Sequence, residues 1–92
     1  MDIRQNNSAN IITGRIINID RQNRTFTTIS DGNLSSTVRF NVPPNARIFD
    51  FFGRPMNFSR LFPGLRVQVR HAPFMTASIP PQTTALVVRV LR

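Results

Sequence analysis

The chain has 92 residues, with twelve arginines and no lysine set against four aspartates and no glutamate, for a formal net charge of +8. That length supports one domain with a modest core, and the lack of cysteine excludes disulfides and thiolate metal sites. No apolar run of about 18 residues exists to make a membrane-spanning helix, and one histidine with four carboxylates is too small a set for acid–base or metal chemistry, so no enzyme, metal or cofactor is expected.

The start of the chain is polar and lacks the apolar centre of a signal peptide, which predicts a mobile tail over residues 1–9, a single domain over residues 10–92 and a cytoplasmic location. Ile, Val, Thr and Phe together supply 32 residues; β-branched and aromatic side chains suit a pleated surface better than a helix. Seven prolines and nine asparagines interrupt them at short intervals, the mark of a small all-β sandwich or barrel. A first strand is predicted from Ile11 to Asp20, with Ile12, Gly14 and Ile16 on one face and a phase slip before Ile19 that suits a bulge. Gly14 inside it predicts a bend or the close approach of a neighbouring backbone. Asp20 opens a turn by bonding amides beyond it. The second strand runs from Arg24 to Ser30 and ends at Asp31-Gly32-Asn33, a hairpin signal.

Val38, Phe40 and Val42 then alternate with Thr37, Arg39 and Asn41, and Pro43-Pro44 stops that strand. A short edge strand is predicted over 46–52, a turn at Gly53-Arg54-Pro55, and one helical turn near 57–61 with Asn57 as its cap. Leu65, Val67 and Val69 alternate with Arg66, Gln68 and Arg70 in a further strand. A proline-bearing loop covers 71–83, and the last strand runs over 85–91.

Ile12-x-Gly14-x-Ile16-x-x-Ile19-Asp20, the Asp31-Gly32 turn, Ala46-Arg47-Ile48 and Leu61-x-Pro63-Gly64-x-Arg66-Val67-x-Val69 together resemble the small OB-fold-like β-barrel domains of bacteria, many of unknown function. An Sm-like barrel is the nearest rival, but its asparagine flanked by apolar residues has no counterpart, since Asn23 lies between Gln22 and Arg24. The resemblance implies a five-stranded, partly open Greek-key barrel, a fold in which one face and its loops often bind oligonucleotides or sugars.

Three groups of residues are candidates for a site. Arg15, Arg39, Arg66, Arg70 and Arg89 lie within predicted strands; on one face they would form a basic surface whose guanidinium forks suit phosphate, although arginine also keeps strand edges from pairing. Five phenylalanines between residues 49 and 62 make either a hydrophobic plug or a stacking platform. The 71–82 loop carries His71, Phe74, Met75 and Ile79, which either anchor a partner or fold back over the barrel; His71 alone reads better as a strand-end residue than as a ligand. The leading expectation is a non-catalytic module that binds single-stranded nucleic acid or another polyanion. The alternative is an assembly module that forms a homo-dimer or larger oligomer through the loop and the Phe-rich segment.

Overall fold

The computed structural model describes residues 10–30 and 36–92; the expected tail over 1–9 and the Asp31-Gly32-Asn33 turn lie outside them. Period-two alternation sends every second side chain to the same side of a strand, and here it yields six strands: β1 (Ile11–Asp20), β2 (Thr25–Ser30), β3 (Thr37–Asn41), β4 (Arg47–Phe49), β5 (Arg66–His71) and β6 (Gln82–Val90). Five of them close on themselves in the order β3-β2-β1-β5-β6, with β6 returning to pair with β3 in parallel while the other barrel pairings are antiparallel. This is the five-stranded barrel that the sequence predicts. β4 is a three-residue addition that lies parallel to the second half of β6.

β1 makes the closure possible. It pairs with β5 through its first half and with β2 from Gly14 onward, and its register slips between Ile16 and Asn18, where the hydrophobic phase slips in the sequence. The extra residue coils the strand so that one chain serves two neighbours. Gly14 sits where β1 crosses β2; a Cβ there would overlap the Ile29 carbonyl oxygen, so the close backbone approach requires glycine.

The inward residues form one core that includes Ile16, Phe26, Val38, Phe40, Val42, Leu61, Val67, Val69 and Val88. Phe26 and Phe40 are cross-strand partners whose ring centroids lie 5.4 Å apart; burying such a ring contributes about 2–3 kcal/mol. A 3₁₀ turn at Phe58–Arg60 caps one end with the buried Phe58. Asn57 precedes it as expected, but its side chain makes no capping bond; its backbone carbonyl accepts from the Arg60 amide at 2.9 Å. Most boundaries fall within a residue of expectation, and two differ by three. The edge strand ends at Phe49 because Asp50 folds the chain into a turn, and β6 starts at Gln82 because β3 offers it a parallel partner there. Among the described residues no helix is long and apolar enough to cross a membrane.

Candidate functional site

The strand arginines divide into two sets. Arg66, Gln68 and Arg70 face outward along β5 while Val67, Val69 and His71 face inward. Arg15 lies opposite Arg66, and Arg89 opposite Gln68, so Arg15, Arg66, Arg70 and Arg89 share the outer face of β1, β5 and β6. Arg39 does not join them. It stands between Thr27 and Gln82 on another part of the wall and lines a polar groove with Asn18, Asp20, Asn23 and Thr25. Arg15 is also committed to structure, with Nη1 donating to the Gly64 carbonyl at 2.7 Å. Four of the five arginines therefore share one outer face, and Arg39 lies apart from them. In the Arg39 groove the Asp20 carboxylate is held below its usual range, first by the Asn23 side-chain amide at 2.8 Å and then by the Asn23 backbone amide at 3.2 Å.

The phenylalanine segment also splits. Phe58 plugs the barrel end, whereas Phe51, Phe52 and Phe62 are exposed. Phe51 and Phe52 meet edge to face at 5.3 Å on a turn that Asp50 organises. One oxygen of Asp50 accepts from the amides of Phe52 and Arg54, each at 2.9 Å. Arg54 stacks over Phe52 and Arg92 over Phe51.

The loop between β5 and β6, residues 72–81, is pinned along its backbone. The Ala72 amide donates to the Thr84 carbonyl and the Thr76 amide to the Gln82 carbonyl, both at 2.9 Å. The Arg39 amide donates to the Pro81 carbonyl, and the Thr83 hydroxyl to the Phe74 carbonyl at 2.7 Å. Ser78 donates to the Pro80 carbonyl across a loop that contains a cis Ile79–Pro80 bond. On this fixed backbone Phe74 is 66% exposed, Met75 38% and Ile79 100%. The loop therefore does not fold back to bury its apolar side chains. His71 leaves the candidate set, because β5 turns it inward: it is buried beside Phe40, Nδ1 lies 2.7 Å from the Ala72 carbonyl, and Nε2 has no partner. A carbonyl only accepts, so Nδ1 is the donor in this contact.

Beside the 3₁₀ turn lies a cleft that no motif in the sequence announced. Arg21 in the β1–β2 turn donates to the Ser59 and Leu61 carbonyls at 3.2 and 2.7 Å. Arg24 has a left-handed backbone (φ 53°), which costs about 1–2 kcal/mol outside glycine. It is held by a bond from Nε to the Val42 carbonyl at 2.8 Å and by the Phe58 ring, 4.9 Å below the guanidinium. Between these arginines and Ala46, Ile48 and Met56 lies a space of about 450 Å³. Nothing distinguishes these two arginines from the other ten in the sequence; only the closure of the barrel brings them to one cleft.

No protein-family model matches this chain, and no curated protein does. Solved structures do. A silver-bound structure of CusF, Ag(I)CusF, superposes with a TM-score of 0.58 at 16% identity over 87% of this chain and 93% of that one. A copper(II) form of a CusF variant from Escherichia coli gives 0.61 at 16% identity over the whole of both chains. The likeness establishes the fold.

It also corrects the functional expectation. Nucleic acid or another polyanion was expected as the ligand because the strand arginines suit phosphate and OB-like barrels often bind oligonucleotides. These two CusF structures hold silver and copper ions, so the likeness gives nucleic acid no support, and Arg39 stands apart from the other four arginines. Neither the polyanion reading nor its nucleic-acid partner is retained. The donor set does not fit a copper or silver centre either. Such ions favour thiolate, thioether and imidazole. This chain has no cysteine; His71 is turned into the core, Met56 lines the cleft and Met75 stands on the loop. Among the described residues no three His, Cys, Asp or Glu side chains converge.

Proposed function

We propose that the protein is a non-catalytic interaction module that engages another polypeptide through the loop between β5 and β6. The observation that carries this reading is a rigidly bonded backbone that leaves Phe74, Met75 and Ile79 in water. A loop that is ordered before binding loses little entropy on association, and aromatic and aliphatic side chains set on such a support are the usual anchors of an interface. The partner that suits them is a segment with apolar side chains of its own, whose burial against the loop removes both surfaces from water.

The test is to select binders from a displayed peptide library and map them by NMR. Selected peptides are expected to shift the amides of residues 72–81 and to lose about tenfold or more in affinity with Phe74→Ser or Ile79→Ser, the loss that follows when an interface anchor is removed. Peptides that map elsewhere, bind these variants equally well, or are outcompeted by a second copy of the chain would overturn the reading.

A further inference from the structure

We infer that the cleft bounded by Arg21 and Arg24 is a binding site for a small organic carboxylate carrying an apolar group. Its lining shares no residue with the β5–β6 loop, so it stands independently of the protein-binding reading. The argument begins with the two guanidinium groups. Each is fixed by backbone carbonyls on a different element: Arg21 by residues of the 3₁₀ turn, Arg24 by the segment after β3. A guanidinium carries five N–H donors. Arg21 uses two, and Arg24 uses Nε and, at 3.5 Å, one on Nη2, so each retains three. Their positions are set before any ligand arrives, which removes the ordering cost that surface arginines normally carry.

The cleft lining includes no aspartate or glutamate, so two positive charges face it without an acidic neighbour among its walls. The rest of the lining is mixed: Ala46, Ile48 and Met56 supply apolar side chains beside the polar Asn57 and Ser59, and Phe58 carries Arg24 on its ring. A planar carboxylate matches the guanidinium fork, and the Ala46, Ile48 and Met56 side chains offer contact to the hydrocarbon or aromatic body of an acid that a bare inorganic anion lacks. The volume of about 450 Å³ lies within the range of small-molecule sites. The carboxylate has two possible sources, a free acid or the C-terminus of a peptide, and the chemistry recognised is the same.

The test is a calorimetric and NMR titration of the whole chain with N-acetylphenylalanine, its amide, inorganic phosphate, and a short peptide ending in phenylalanine with a free or amidated terminus. The acid is expected to saturate and to shift amides in the β1–β2 turn, at Ala46 and Ile48, and around Phe58. The amide should bind about tenfold or more weakly, the effect of losing a charge-assisted hydrogen bond. Tighter binding of the free-ended peptide than of the acid identifies a chain terminus as the source; binding of the acid alone identifies a free acid. Arg21→Gln should weaken binding. Ala46→Met, which fills the cleft and leaves both arginines in place, should do so with the NMR spectrum of the barrel otherwise preserved. Equal binding of acid and amide, equal binding of phosphate, no saturation, or an unaffected Ala46→Met protein would overturn the assignment.

Discussion

Thr28 faces the core of β2 with no exposed surface, and its hydroxyl has no hydrogen-bond partner. An unsatisfied buried hydroxyl costs about 1–3 kcal/mol, and valine fills nearly the same volume without the polar atom. Thr28→Val is therefore expected to stabilise the protein by about 1 kcal/mol, raising Tm by roughly 4–8 °C in a domain of this size; a lower Tm in calorimetry would show that the hydroxyl has a hidden role. Thr28 illustrates what single residues disclose in the sequence. Threonine at period two announces a strand but not its side, because it suits both faces. Gly14 is different: glycine amid β-branched neighbours has no propensity reason to be there, so a bend or a close backbone approach was readable beforehand, and the fold supplies the Ile29 carbonyl as the neighbour. Arg21 and Arg24 left no such trace, since their partners are backbone carbonyls brought near only by folding.

At the scale of elements, the strands with clear alternation were legible and the segments between them were not. β3 and β5 follow their apolar periods, whereas β4 shrinks to three residues because Asp50 ties back the amides of Phe52 and Arg54. Those bonds give the 50–54 turn a pH dependence. They hold the Asp50 carboxyl below its usual value, the Arg54 amide most strongly, with burial partly opposing. A folded-state pKa below the unfolded one contributes stability that is complete above the unfolded value and lost as pH falls through the folded one. Protection of the Phe52 and Arg54 amides in hydrogen exchange is thus expected to be constant from about pH 7 to about pH 5 and to fall below about pH 4. Protection that stayed level down to about pH 2 would contradict this account of the turn. The start of β6 at Gln82 was equally hidden in the sequence: Gln82-Thr83-Thr84 has no apolar period, and its strand character comes from pairing with β3.

For the whole molecule, charge is the feature composition stated most clearly and whose consequence composition could not fix. A net charge of +8 is spread over a body of 40 × 28 × 26 Å, and Arg15 and Arg66 lie directly opposite each other across two strands. The Debye length is about 30 Å at 10 mM salt and about 8 Å at 150 mM. At low salt the positive charges therefore repel across the whole barrel, and at higher salt only near neighbours do. Tm is expected to rise between these conditions in sodium chloride; a constant or falling Tm would mean that local hydrogen bonds and ring contacts already neutralise the repulsion. The barrel's closure has a further result for its synthesis. β6 touches β3, β4 and β5, so until residues 82–90 have left the ribosome, the earlier strands have unpaired edges and no complete interior. Cotranslational folding can then form only the open β3-β2-β1-β5 sheet, and a stop codon before Gln82 should yield an insoluble fragment instead of a smaller barrel.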